Sequence, residues 1–229
     1  MSSISSAINA DTLSARVIRA SDVEGVDALR IASYRRATWF TLRNAERIRC
    51  ALDQPHSRVT AVFERTADGE VPVATICQTL ARDRAEAEAM LELEAPVAAN
   101  DFPALVISRA ATAEDHAGLR LNHVLRWFTL HAVIRDGIAA ILGGHAQGTP
   151  NLRVMAELGY RFVDVAHSTM SQVDVNTRHV MSYLPAGNFV PALARLEPMI
   201  AHALPRIEWA GPRLSFAEWL APVTAQAAE

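Results

Sequence analysis

The stretch LVISRAATAEDHAGLRLNHVLRWFTLHAVIRDGIAAILGGH, residues 105–145, decides the fold. Its first seven residues are mostly apolar and predict a strand buried on both faces. From 121 to 133 the apolar side chains recur three and four residues apart, which predicts a long helix ending at Asp136, with Gly137 as a left-handed cap. Residues 139–144 predict a second buried strand. This order of strand, loop, helix and strand indicates an α/β fold.

The flanking segments extend this pattern in both directions. On the amino-terminal side we predict a strand at 16–19, a helix from 21 or 22 to 34, a helix at 39–52, a hairpin of strands 59–64 and 71–80 around an Asp-Gly turn, and a helix at 82–94. On the carboxyl-terminal side we predict a helix at 150–158 ended by Gly159, strand or loop at 165–175, a last core strand at 178–184, a helix at 191–204, and a capping box at 215–218 that starts another short helix.

Length and composition indicate one domain of ordinary size. The chain has 229 residues, of which 50% are hydrophobic, and this suffices for a core without a metal or disulfide. We expect a flexible N-terminus at 1–15, a main domain at 16–184 and a C-terminal helical extension at 185–229. Cys50 and Cys77 are too few for a disulfide framework, so we expect them to be core thiols.

Composition also narrows the classes of function. All 22 lysine-plus-arginine positions are arginine, which excludes a lysine Schiff base and a Walker P-loop. The net charge of −3 argues against a general nucleic-acid binder, and the eight histidines show no metal-ligand spacing, so no metal is expected. No run of about 18 apolar residues suggests a transmembrane segment, and residues 1–14 lack the form of a signal peptide. A cytoplasmic location is the expectation.

The loop between the first strand and the long helix is the first candidate site. A strand that enters a helix through small residues leaves backbone N–H groups directed at one spot, where the helix dipole also favours an anion. Gly118 would let a phosphate approach the main chain closely. A plain turn is the alternative interpretation, because one glycine in such a loop is common.

Three segments together resemble the GNAT fold of acyl-CoA-dependent acyltransferases. The loop DHAGLR (115–120) is similar to the family's Arg/Gln-x-x-Gly-x-Gly/Ala pattern, and MAELGY (155–160) is similar to its Tyr-Glu-Lys-Leu-Gly-Phe segment. The segment ISRA (107–110) resembles the Ser-Arg step of acyl-homoserine-lactone synthases and N-acyl amino acid synthases, which share the fold. The resemblance covers about residues 16–184 and implies a mixed central sheet flanked by helices.

The chain also departs from the acetyltransferase pattern. Asp115 replaces the first Arg or Gln of the loop, and Arg120 replaces its last small residue. Met155 stands where many acetyltransferases have a tyrosine that protonates the departing thiolate. Glu114 and Asp115 would repel a pyrophosphate if they faced it. These departures favour the long-chain acyl synthases that share the fold, because their loops also differ from the acetyltransferase pattern.

The resemblance implies a site for an acyl thioester donor, either acyl-CoA or an acyl carrier protein, and an amine acceptor. Backbone groups near Ala110 would hold the pantetheine and polarise the thioester carbonyl. Arg109 would shape the substrate side and, if buried, needs a carboxylate such as Glu64 or Glu92. His145 could deprotonate the amine, or it could be a hydrogen-bonded histidine at a strand end. The remaining expected donor-binding residues are Ser108, His116, Ala117, Gly118, Leu119 and Arg120.

Six arginines within twenty residues, 30, 35, 36, 43, 47 and 49, are opposed only by Glu46. They are either a solvated helix face or an electropositive patch for an acidic carrier protein or the phosphates of coenzyme A, which Arg120 and Arg126 could extend. The function expected from the resemblance is an N-acyltransferase similar to the N-acyl amino acid synthases. An N-acetyltransferase using acetyl-CoA and a non-catalytic binding module of the same fold remain as alternatives.

Overall fold

The computed structural model describes residues 13–36, 45–50, 55–95, 97–147, 149, 151–165 and 179–220. The strands are β1 Leu13–Val17, β2 Ser57–Thr66, β3 Gly69–Ala81, β4 Ala104–Thr112, β5 Ala140–Ala146, β6 Arg161–Asp164, β7 His179–Pro185 and β8 Ile207–Trp209. The helices are α1 Val23–Tyr34, α2 Ala45–Ile48, α3 Arg84–Leu91, α4 Leu121–Asp136, α5 Asn151–Glu157, α6 Phe189–Ile200 and α7 Ala217–Leu220.

The eight strands form one mixed sheet in the order β6-β7-β5-β4-β3-β2-β1-β8. Neighbours are antiparallel except for the parallel pairs β4–β5 and β1–β8. The predicted mixed sheet flanked by helices is confirmed. Most predicted elements are present within a few residues, including the hairpin and the long helix, which ends at Gly137 with φ 73°.

Helices pack on both faces of the sheet. Alternate residues of β4 divide between two hydrophobic clusters, with Leu105 and Ile107 facing α4 and α6, and Ala104 and Val106 facing α3. Cys77 of β3 belongs to a third cluster with Val26 of α1. The central strands are therefore buried on both faces, as a continuous apolar run predicts.

A strand from the early part of the described chain and a strand from its late part pair at one edge of the sheet. β1 begins at Leu13, so residues 13–15 of the segment expected to be flexible are strand, and Leu13 and Ala15 are buried. β8 pairs with β1 in parallel, with Ile207 opposite Leu13. The extension therefore contains a strand of the sheet, which its sequence did not predict, in addition to the expected helices.

Other predictions need correction or cannot be assessed. The carboxylate of Glu218 contacts Arg58 instead of completing a capping box, although Ser215 Oγ does accept a hydrogen bond of 3.2 Å from the amide of Ala217. Of the predicted helix at 39–52, the structure describes residues 45–50, and Ala45–Ile48 is helix there. Residues 37–44, 51–54 and most of the segment 165–175 lie outside the described residues.

Candidate active site

β4 and β5 separate after three residue pairs. Their parallel ladder joins Ala104 to Ala140, Leu105 to Ile141 and Val106 to Leu142, and then ends. β4 continues along β3 to Thr112, while β5 continues along β7 to Ala146. The backbone groups that each strand turns toward the other beyond Leu142 therefore face a gap, which we call the fork. Ala110, near which backbone groups were expected to hold a pantetheine arm, lies on the β4 side of this fork.

A β-bulge lies in β4 beside the fork. Ser108 faces Cys77 and Ala111 faces Thr75, so Arg109 and Ala110 together oppose one residue of β3. Arg109 has a φ of 53°, an uncommon conformation for a side chain other than glycine. Bulges of this kind are common next to active sites because they redirect a strand's groups. The guanidinium of Arg109 donates a hydrogen bond to Cys77 Sγ at 3.7 Å, on the side of the sheet where α1 lies.

Gly143 lies at the apex of the fork and has little room around it. A Cβ atom there would be 3.2 Å from the carbonyl oxygen of Ile107, 3.2 Å from His145 Nε2 and 3.0 Å from Ser182 Oγ. The ring of His145 therefore folds back toward the point where β4 and β5 diverge. A side chain at position 143 would compete with that ring for space.

His145 is held by a hydrogen bond to the neighbouring strand. Its Nε2 atom is 3.0 Å from the hydroxyl of Ser182, which is fully buried and paired opposite Gly143. Burial, reinforced by the positive charge of Arg126, lowers the pKa of His145 to about 4. The imidazole is consequently neutral near pH 7 and can accept a proton.

Arg126 is buried on α4, with 6% of its surface exposed, so the idea that it extends a surface patch is wrong. Its charge affects the pKa values of three groups. Burial and then Arg126 lower the pKa of His145, and burial, followed by Arg126 and Arg120, lowers the pKa of His123 to about 4. Burial raises the pKa of Tyr160, and Arg126 partly offsets this.

The predicted loop forms a 3-10 helix from Glu114 to Leu119. The backbone N–H of His116 donates to Ala113, and its buried ring contacts Asp115 at 2.8 Å and Glu64 at 3.5 Å. His116 is thus turned into the protein, and Glu64, one proposed partner of Arg109, faces His116.

The outer part of the loop is open. Ala117 and Gly118 are exposed, and no atom lies within 4 Å of a Cβ built on Gly118. Arg120 is exposed in a left-handed conformation, and its carbonyl accepts from the amides of the first turn of α4. Glu114 is paired with Arg36 at 2.5 Å, which offsets one of the two acidic charges beside the loop.

The six early arginines do not form a single surface patch. Arg30 is fully buried and donates to the carbonyl of Ile48 and to Cys50 Sγ, which is a structural role. Arg35, Arg36 and Arg49 are exposed, with Arg49 paired to Glu46 at 3.5 Å. The side chains of Arg43 and Arg47 lie outside the described part of the chain.

Ser182 is the site residue that sequence reasoning missed. Its signal was present, since it is a single small polar residue inside the apolar run VMSYL of a predicted core strand. Among the described residues there is no cluster of three or more histidine, cysteine or acidic side chains that could hold a metal ion. In the same part of the chain, no helix has the length and apolar character needed to cross a membrane.

Comparisons with known proteins add the final observation. No family model matches the sequence, and no curated sequence does. The fold, however, matches FeeM, an N-acyl amino acid synthase from uncultured soil microbes, with a TM-score of 0.55, 13% identity and coverage of 82% of this chain and 99% of that one.

Two further structures extend the likeness. BjaI, a CoA-dependent acyl-homoserine lactone synthase solved with SAM and isopentyl-CoA, matches with a TM-score of 0.59, 15% identity and coverage of 90% of this chain and 98% of that one. A putative acetyltransferase of the GNAT family from Desulfovibrio desulfuricans matches with a TM-score of 0.53, 13% identity and coverage of 76% of this chain and 99% of that one. At these identities the likeness is one of fold, and the chain has the GNAT acyltransferase fold that its sequence predicted.

Proposed function

We propose that this protein transfers an acyl group from a thioester to an amine. The observation that carries the proposal is the fork between β4 and β5, with a left-handed bulge at Arg109 on one side and a neutral histidine, His145, at its apex. A gap between two diverging strands can hold an extended amide-bearing arm by strand-like hydrogen bonds to the backbone of those strands. The neutral imidazole supplies the proton acceptor that amide formation requires.

The chemistry makes few demands on side chains because a thioester is already activated. Alignment of the two reactants can supply about 7–11 kcal/mol of barrier reduction at best. Backbone N–H groups at the bulge, near Ser108 and Ala110, stabilise the negative charge that develops on the thioester oxygen. His145 then takes the proton from the amine nitrogen as the new C–N bond forms.

We assign donor binding to the loop that precedes α4. Ala117 and Gly118 offer exposed backbone, Leu119 and Arg120 lead into the helix, and Arg120 adds a positive charge for a phosphate group. We assign His116 an indirect role in donor binding. Its buried ring contacts Asp115 and thereby orients the loop. Arg109 is assigned to the substrate side of the bulge.

The finer proposal is an activity similar to that of an N-acyl amino acid synthase, with acyl-CoA or an acyl carrier protein as donor. Met155 supports it, because this side chain is 2% exposed and cannot protonate a thiolate as a tyrosine would. A small-molecule amine is the expected acceptor. Among the early arginines, the exposed side chains of Arg35, Arg36 and Arg49 are the ones that an acidic carrier protein could contact, although Arg36 and Arg49 already have acidic partners.

The test compares donors and then products. Purified protein is titrated with acetyl-CoA, a long-chain acyl-CoA and an acyl carrier protein by calorimetry, and each donor is incubated with the amino acids while mass spectrometry follows amide formation. We expect binding and turnover of the long-chain donors. Turnover of acetyl-CoA alone would establish an N-acetyltransferase instead, and binding without turnover by any donor would leave a non-catalytic binding module.

A further inference from the structure

The hydroxyl of Ser182 contacts two polar atoms of β5. Its Oγ atom is 3.2 Å from the carbonyl oxygen of Gly143 and 3.0 Å from Nε2 of His145. Ser182 is fully buried, so water is not an alternative partner. The two contacts together determine where each proton lies.

A carbonyl oxygen only accepts, whereas a hydroxyl has one proton to donate and two lone pairs. The contact with Gly143 therefore uses the Ser182 proton, and the contact with His145 must use a proton on Nε2. The opposite arrangement, with the hydroxyl donating to Nε2, would leave two oxygen acceptors facing each other at 3.2 Å in a buried site, which is unfavourable.

The second ring nitrogen is then free of its proton. A neutral imidazole carries one N–H, and burial together with Arg126 keeps His145 neutral by lowering its pKa to about 4. With that proton on Nε2, Nδ1 presents a lone pair from the opposite edge of the ring. Within the described residues, no hydrogen bond to Nδ1 was found.

We propose that Ser182 is a positioning residue that holds His145 in the Nε2–H tautomer, so that Nδ1 accepts the proton of the attacking amine. This inference rests on the proposed function and deepens it. Ser182 itself does not touch the reacting atoms. It acts through His145, in the way that a buried acceptor orients the histidine of other acyl-transfer enzymes.

The step balances without any further reactant. The amine nitrogen forms a bond to the thioester carbonyl carbon, the nitrogen gives one proton to Nδ1, and the C–S bond breaks. The imidazolium so formed has a pKa of about 4, so it returns the proton to the departing thiolate, because a thiol ordinarily has a pKa of about 8.5. The products are an amide and a free thiol.

The experiment reads the tautomer and the turnover separately. Protein labelled with ¹⁵N in its histidine rings is examined by NMR as wild type, Ser182→Ala and Ser182→Thr, with His145→Gln used to identify the His145 signals. We expect the Nε2–H tautomer in the wild type and in Ser182→Thr, which keeps the hydroxyl, and a mixture of tautomers in Ser182→Ala. Thermal melting shows which variants are folded.

The turnover number kcat should fall in the variant whose His145 tautomer is no longer fixed. Ser182→Ala should lower kcat roughly 10–100-fold with little change in the donor's KM, and Ser182→Thr should recover most of it. An active wild type with the Nδ1–H tautomer, or a folded Ser182→Ala with unchanged tautomer and kcat, would overturn the role of Ser182 alone. Inactivity of the wild type with every thioester would overturn the proposed function and the role of His145 with it.

Discussion

The carbonyl oxygen of Ile107 lies 3.2 Å from the position that a Cβ atom on Gly143 would occupy. These residues immediately follow Val106 and Leu142, the last pair of the β4–β5 ladder. The fork therefore begins where the backbones of β4 and β5 still lie close together. Because Gly143 has no side chain, the ring of His145 has space there. Position 143 controls whether that ring can lie at the apex.

Gly143→Ala should narrow the apex and impair the donor site. The added methyl group would press on His145, Ser182 and the Ile107 carbonyl, a form of overpacking that costs about 1–3 kcal/mol. We expect a lower melting temperature and a weaker affinity for a long-chain acyl-CoA, measured by calorimetry. Gly187→Ala is the matched control, because nothing lies within 4 Å of its Cβ position. If Gly143→Ala and Gly187→Ala bind the donor with equal affinity, Gly143 does not lie at the apex of the donor site.

Arg109→Gly and Arg109→Ala should differ in stability, although both remove the same guanidinium. Both residues have to adopt the left-handed conformation of the bulge, but this costs alanine about 1–2 kcal/mol, whereas glycine adopts it freely. Chemical denaturation should therefore rank the glycine variant above the alanine variant. Ala194→Gly, at an exposed position of α6, should show the opposite preference. Identical unfolding free energies for the two Arg109 variants would argue against the bulge.

Asp136→Ala should detach the C-terminal segment from α4. The Asp136 carboxylate accepts hydrogen bonds from Ser215 Oγ at 2.9 Å and from the Phe216 amide at 2.6 Å. Its loss leaves these donors without a partner, at a cost of about 1–3 kcal/mol, and each kcal/mol lowers the melting temperature of a chain this size by about 2–4 °C. Calorimetric melting measures the change. Asp164→Ala, at an exposed strand end, should melt close to the wild type.

Acidification from pH 6.5 to 4 should destabilise the protein through its partly buried histidines His123 and His145. Burial, with the charges of Arg126 and Arg120, lowers the pKa of His123 from 6.5 to about 4, so in this window the unfolded chain binds a proton that the folded chain does not. Stability is therefore full above pH 6.5 and falls by up to about 1.4 kcal/mol per pH unit for this histidine as the pH decreases. Denaturation at several pH values measures the slope.

His123→Gln should reduce that slope because it removes one of the titrating groups. The contribution of His145, whose pKa is also lowered to about 4, should persist in this variant. His202→Gln, which changes an exposed histidine, is the matched comparison. An unaltered slope in His123→Gln would show that His123 does not titrate in this way.

Much of the candidate site could be predicted from the sequence because its signals are local. ISRA at 107–110 marked the bulged part of β4, and AEDHAGL at 113–119 marked the loop before α4. The conformation of Arg109 was not predictable, because an arginine has no intrinsic preference for positive φ and the bulge results from pairing with β3. His116 had two possible directions, and only its contact with Glu64 of β2 shows that it turns inward.

The sequence alone determined the order of most elements and the ends of α4 and α5. Apolar spacing, the cap at Gly137 and the turn at Gly159 depend on residues a few positions apart, so they can be recognised along the chain. The tertiary structure decided the rest. Ser182 reaches His145 across 37 positions, β8 joins β1 from the opposite end of the chain, and Arg126 is buried only because α4 packs against the sheet. Such contacts depend on which faces meet in space, and that depends on burial and pairing summed over the whole chain.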